Sequence, residues 1–301
     1  MSLPSQHTPL FFISLFFLTI TIFFPSLTTS ADYTNLVYKG CANENFQDPS
    51  GIFSENLKSL FDSLVSQSSQ KTFSNTTSGN GANAITGWYQ CRGDLTNSQC
   101  YDCVSKIPNM VNKHCGKTIA ARVQLSGCYL RYEVAGFKQV SDTEQLYKTC
   151  GSSKASGSGF EDKRDSAFDM LEDGVKSGSS LFYTGSYQSV YVLGQCEGDL
   201  GTDVCGDCVK SAVERVKSEC GGSISGQIYL HKCFISYSYY PNGVPDGSIT
   251  TNSSSTGTRQ QGTQRTVAIA VGGIAALGFL IVCLLFVRSA LKKRSSTKHG
   301  F

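Results

Sequence analysis

The chain has 301 residues, 26 Lys/Arg against 23 Asp/Glu, and 13 cysteines, which leaves room for two ordinary domains and suggests a disulfide framework. Its charge is segregated: residues 32–250 carry 19 basic and 23 acidic side chains, and residues 251–301 carry seven basic and no acidic ones. A mildly acidic body with a basic tail argues against nucleic acid as a partner, because nucleic-acid binders place positive charge on the folded part.

Taken in chain order, Leu10 to Phe24 is almost wholly apolar and small or polar residues follow from Ser26 to Ala31. This predicts a signal peptide over residues 1–30, cleaved after Ser30 or Ala31. The rival reading, an uncleaved anchor, needs a span of ~20 residues, and this run is shorter. A first domain is expected over residues 31–140. Ile52, Phe53, Leu57, Leu60, Phe61, Leu64 and Val65 recur at helical spacing. The polar stretch 74–83 reads as a loop, 85–90 as a strand, and 98–114 as one helix through Cys103, Val104, Ile107 and Val111. Alternation from Thr118 to Val134 predicts a hairpin.

A second domain is expected over residues 141–245, with the Ser/Gly stretch 154–159 as a short linker that lets the domains abut. Phe168, Leu171 and Val175 mark a helix, 189–194 a strand, 204–216 a helix and 224–239 strands. Each domain is therefore predicted to be α+β, two helices packed on an antiparallel sheet.

Residues 246–265, rich in Ser, Thr, Gly and Gln, read as a flexible stalk. Residues 266–287 form an uncharged apolar run, about 33 Å long as a helix, which suits a transmembrane span. Arg288, Lys292, Lys293, Arg294 and Lys298 follow it, so the tail 288–301 is expected in the cytoplasm and residues ~31–265 outside. A glycolipid-anchor signal is the rival, but it ordinarily ends on its apolar tail. Fourteen residues hold no catalytic domain. Within the span, Ala268, Gly272 and Ala276 make two small-xxx-small steps. They either bring helices together, in self-association or with a membrane partner, or reflect only how common small residues are in spans. Cys283 is either apolar filler or an S-acylation site.

The outer segment repeats itself. Gln90-Cys91-Arg92-Gly93-Asp94-Leu95 aligns with Gln195-Cys196-Glu197-Gly198-Asp199-Leu200. Cys100, Cys103, Cys115 and Cys128 recur at identical spacing as Cys205, Cys208, Cys220 and Cys233, with Cys41 and Cys150 upstream. Such agreement indicates duplication. The CxxC pairs allow a zinc site, a redox pair or structural staples. Each domain offers one histidine, His114 or His231, and an even six cysteines, which favours staples while leaving fifteen connectivities per domain open.

No catalytic motif stands out, so neither an enzyme nor a cofactor is expected. Asn75-Thr76-Thr77 and Asn252-Ser253-Ser254 are glycosylation sequons in loop-like stretches. Tyr229, Phe234, Tyr237, Tyr239 and Tyr240 are either core and cross-strand pairs or an exposed patch for a partner or wall polymer.

The duplicated C-x8-C-x2-C pattern resembles the plant ginkbilobin-like, stress-antifungal cysteine-rich domain over about residues 31–245. The resemblance implies the disulfides Cys41–Cys115, Cys91–Cys100, Cys103–Cys128, Cys150–Cys220, Cys196–Cys205 and Cys208–Cys233. Two such domains with one span and a stub tail resemble the plasmodesmata-located protein family. That resemblance implies a regulator of cell-to-cell movement at wall channels, linked to callose, defence and docking of viral movement proteins. The mannose site of ginkbilobin, an Asn, an Arg and a Glu, would fall on Ala42 (with Asn43 one step along), Arg122 and Glu133. In the second copy it would fall on Gly151, Gln227 and Ser238. A wall glycan is thus the alternative partner. The default for Arg122 and Glu133 is an ordinary cross-strand ion pair.

Overall fold

The computed structural model describes residues 32–156, 158–178 and 180–244. The expected signal peptide, stalk, membrane span and basic tail lie outside these residues, as do Asn252, Ala268, Gly272, Ala276 and Cys283. Among the described residues no helix is long and apolar enough to cross a membrane.

The described chain forms two similar α+β domains, each with an antiparallel five-stranded sheet. In the first, β1 (Leu36–Cys41) leads to α1 (Ile52–Gln67), β2 (Phe73–Ser78) and β3 (Ile85–Cys91). Then come α2 (Asn97–Val104), α3 (Ile107–His114), β4 (Ala120–Leu125) and β5 (Cys128–Val134). The strand order is β1-β4-β5-β3-β2. The second domain repeats this with β6 (Gln145–Cys150), α4 (Phe160–Ser177), β7 (Phe182–Tyr187), β8 (Val190–Cys196), α5 (Thr202–Cys220), β9 (Ser225–Leu230) and β10 (Cys233–Tyr239), ordered β6-β9-β10-β8-β7.

Helices cover one face of each sheet. Strand alternation sends Ile85, Tyr89, Val123, Leu130 and Tyr132 towards α1–α3, where Leu60, Leu64, Ile107 and Val111 complete the core. In the second domain Val190, Val192, Ile228, Ile235 and Tyr237 meet Phe168, Leu171, Val209 and Val216. Six disulfides staple these layers: Cys41–Cys115, Cys91–Cys100, Cys103–Cys128, Cys150–Cys220, Cys196–Cys205 and Cys208–Cys233. Each CxxC is split between two bonds, so neither pair is a dithiol redox couple.

The structure adds the strands β1 and β6, which no sequence expectation covered, and departs from those expectations in four further places. Residues 98–114 are two helices. Pro108 enters the first turn of α3, where its missing N–H is tolerated; in one continuous helix it would leave the Val104 carbonyl without a donor and its ring would clash with it. The equivalent second-domain residue is Val213, and α5 runs unbroken. Secondly, the polar stretch 74–83 begins in a strand: β2 pairs with β3 along its length, and Asn75 lies on this strand. An edge strand needs no apolar run, since only one flank and one face are covered. Thirdly, the stretch 154–159 lies inside the second domain, between β6 and α4, and residues 135–144 connect the sheets. Fourthly, β7 precedes β8 through the two-residue turn Gln188-Ser189, both at positive φ. That turn suits a hairpin, but Asn-Gly is the sequence that ordinarily announces it.

The two copies exchange large and small residues beneath the helices. Gly87 and Tyr89 in β3 correspond to Val192 and Gly194 in β8. A Cβ on Gly194 would lie 2.8 Å from Leu171 Cδ1. Gly194→Ala is therefore expected to cost about 1–3 kcal/mol of stability through overpacking. Gly40→Ala, where nothing lies within 4 Å of the added Cβ, is expected to stay within about 0.5 kcal/mol. Urea denaturation checks both.

Candidate functional site: the seam between the two sheets

The faces of the sheets that carry no helix meet along a seam, and the repeated Gln-Cys-x-Gly-Asp-Leu motif forms its centre. Gln90 precedes Cys91 in β3, so its side chain leaves the sheet opposite the core. Its Nε2 donates to the carbonyl of Cys196 at 3.0 Å. Gln195 reciprocates, donating to the carbonyl of Cys91 at 3.1 Å and accepting from the Gly93 N–H at 3.3 Å. The glycines are part of the same exchange. A Cβ on Gly93 would stand 2.5 Å from Phe182, and one on Gly198 2.6 Å from Phe73. Each phenylalanine opens the edge strand of its own domain and seats on the other domain's glycine.

Beside this centre is an aromatic layer. Tyr38 of β1 stacks on Tyr147 of β6 with centroids 5.1 Å apart and meets Tyr229 edge-on. Tyr229 in turn stacks on Phe234. Tyr229 and Phe234, grouped from sequence with Tyr237, thus belong to the seam, while Tyr237 is a core residue.

The charged part of the seam is asymmetric. At one motif position the first copy has Arg92 and the second Glu197. Arg92 is satisfied locally, by Asp94 at 2.6 and 2.9 Å and the Ser126 carbonyl at 3.2 Å. Glu197, 3% exposed, takes partners from both domains. Arg131 donates to it at 2.9 Å, Lys232 at 2.5 Å, and the Tyr129 hydroxyl closely. Burial alone would raise the Glu197 carboxyl. The Arg131 charge and the hydrogen bonds from Arg131, Lys232 and Tyr129 outweigh it and hold the carboxyl at about 2. Next to it, burial and the positive charges of Arg131, Arg122 and Lys232 push the His231 imidazole from 6.5 down to about 4.

Arg122 and Glu133 part company here. Arg122 lies over the Tyr129 ring at 4.0 Å and donates to the His231 carbonyl of the second domain at 2.9 Å. Glu133 stays on the first sheet, 3.5 Å from Arg131 and bonded to Gln139 at 2.7 Å. They are not the cross-strand ion pair expected by default: Arg122 is opposite Arg131, and Glu133 opposite Ala120. The crevice beside Arg122, lined by Gln124, Tyr129, Gln195, Glu197 and Phe234 among others, encloses about 20 Å³, room for about one water. Among the described residues no group of three or more His, Cys, Asp or Glu is placed to hold a metal. The motif marked the repeat in sequence. Its role in joining the copies did not follow, although the opposite charges at Arg92 and Glu197 were the available signal.

Two acid-linked losses are expected, in order. Between pH 6.5 and about 4 the unfolded His231 takes a proton that the folded one refuses, so stability falls as pH falls. Below 4.5 and down to about 2 the same holds for Glu197, whose carboxylate stabilises the fold above that range. Thermal melts against pH should show both steps, with the first absent in His231→Gln. Glu197→Gln, which leaves Arg131 and Lys232 short of a buried counter-charge, is expected to cost roughly 3 kcal/mol at neutral pH.

A family model described as salt stress response/antifungal matches residues 40–135 and again 148–240. Plasmodesmata-located protein 2 of Arabidopsis thaliana is 53% identical over 289 residues, covering 91% of this chain and 94% of the relative. Plasmodesmata-located protein 1 of the same plant is 55% identical over 305 residues, covering 97% and 98%. Two solved tandem DUF26 ectodomains of Arabidopsis thaliana cysteine-rich receptor-like proteins share the architecture. That of PDLP8 is 31% identical with a TM-score of 0.63, covering 68% of this chain and 98% of its own. That of PDLP5 is 32% identical with a TM-score of 0.60, covering 68% and 100%.

Proposed function

The chain belongs to the plasmodesmata-located protein family, and on that premise we propose that it is a non-enzymatic, receptor-like membrane protein of plasmodesmata that regulates traffic between cells. The observation that carries this reading is identity of 53–55% with two plasmodesmata-located proteins across nearly the whole of each chain. That match extends past the tandem domains. The apolar run 266–287 and its basic flank fit a single span with the domains outside and the tail in the cytoplasm.

In this reading the tandem domains form a sensing or docking body in the wall space. The span supplies targeting and contacts, with a second copy or another membrane protein, through the face of Ala268, Gly272 and Ala276. Channel closure linked to callose, defence signalling and docking of viral movement proteins are the activities such a protein would serve. The alternative, a receptor for a wall glycan at Arg122 and Glu133, has less support. The Arg122 guanidinium is engaged across the seam, and the crevice beside it is water-sized.

A C-terminal fluorescent fusion in epidermal cells, stained for callose, tests the location. Paired spots across the wall that coincide with callose are expected. Exchanging residues 266–287 for an unrelated apolar span should disperse them. A uniform plasma-membrane outline for the unaltered protein would reject the assignment.

A further inference from the structure

Trp88 is the single tryptophan of the chain, and it lies on the outer face of the first sheet, half-buried. It sits mid-row across three neighbouring strands. Arg131 of β5 is opposite it on one side and Asn75 of β2 on the other. Residues directly opposite in a ladder project from the same face, so the three side chains form one row. The Arg131 guanidinium lies 3.9 Å from the indole centroid and covers the ring face turned towards β5. On the side of Trp88 away from Arg131 lies β2, an edge strand, with Asn75 exposed upon it. In the adjoining row the hydroxyls of Thr77 and Thr86 lie 2.8 Å apart, with Glu133 opposite Thr86.

Asn75-Thr76-Thr77 is an acceptor sequence for N-linked glycosylation. We propose that Asn75 carries an N-glycan whose first N-acetylglucosamine stacks on the open face of Trp88, completing a layer of guanidinium, indole and sugar. The donor is the lipid-pyrophosphate-linked oligosaccharide of the secretory pathway. Asn75 Nδ2 forms a bond to C1 of the sugar, the bond from C1 to the pyrophosphate oxygen breaks, and the amide proton leaves with the released lipid pyrophosphate. The attachment geometry is local: the sugar is tethered one strand away from the ring, so stacking orders little additional chain. A pyranose presents a face of C–H groups to the negative face of the indole, while the hydroxyls and carboxylate of the adjoining row offer hydrogen-bond partners. The sugar would also cover the unpaired edge of β2 and block addition of a foreign strand. The inference requires export through the secretory pathway, which the proposed function shares, but not plasmodesmal location.

Because Trp88 is the only tryptophan, its fluorescence reads this site in the full-length protein. The protein is purified from plant cells whose glycans are held in oligomannose form, and acrylamide serves as quencher. Mass spectrometry of the Asn75 peptide is expected to show the glycan. Trimming with endoglycosidase H, which leaves one N-acetylglucosamine, should leave quenching unchanged. Removing the whole glycan with a peptide amidase, or abolishing the sequon with Thr77→Val, should raise the quenching constant about two-fold as the second indole face opens. Thr77→Ser, which keeps the sequon, should match the unaltered protein. Three results would overturn the proposal: Asn75 without a glycan, quenching that is the same with and without it, or a one-sugar stub that behaves like the stripped protein. The enzymatic comparison needs no variant to fold. Fluorescent spots at the wall, with an unmodified Asn75, would reject this inference and leave the proposed function in place.

Discussion

The exchange of amides between Gln90 and Gln195 organises the described structure. Each glutamine precedes a cysteine that is bonded to the following helix, through Cys91–Cys100 or Cys196–Cys205, so its backbone is held before its side chain reaches across. Each then satisfies the carbonyl of the other copy's cysteine. A buried carbonyl deprived of its donor loses more than the net worth of the bond, because desolvation is left uncompensated. Each glutamine therefore offsets a desolvation cost of about 1–3 kcal/mol that burying the two sheet faces would otherwise leave. The close approach in turn leaves no room for a side chain at Gly93 or Gly198.

Around that near-symmetric centre the copies have diverged in charge. One motif position holds Arg92, balanced within its own domain, and the other holds Glu197, balanced by Arg131 of the first domain and Lys232 of the second. Two arginines at this position would each need a local carboxylate and give no ionic link across the seam. With Glu197, one buried carboxylate ties strands of both sheets. Its partners also explain why Arg122, next to the network, is oriented by Tyr129 and the His231 carbonyl rather than by Glu133. β4 and β5, which carry Arg122 and Arg131, are thereby half of a contact between two domains.

Much of the fold was legible because its signals are local. Apolar positions at helical spacing locate α1, α4 and α5, and alternation locates β4–β5 and β9–β10. The missed elements lack such marks. β2 is written in Ser, Asn and Thr and becomes a strand only because β3 offers it a partner along its length. The break between α2 and α3 was visible in Pro108, but a run of apolar residues continuing at helical spacing masked it. The hairpin before β8 uses Gln188-Ser189, which carries no turn signature.

The sequence by itself determined the duplication, the α+β class, the family and the even cysteine set of each outer domain, since each rests on residue type and spacing along the chain. How the two domains meet was decided by tertiary structure alone. Gln90 and Gln195 are about a hundred residues apart, and nothing in either strand tells whether its polar face turns to water or to another sheet. The answer depends on shape and charge summed over both faces: a glycine under a phenylalanine, a tyrosine on a tyrosine, and one carboxylate among an arginine, a lysine and a phenol. Those are properties of surfaces, which exist only once each domain has folded.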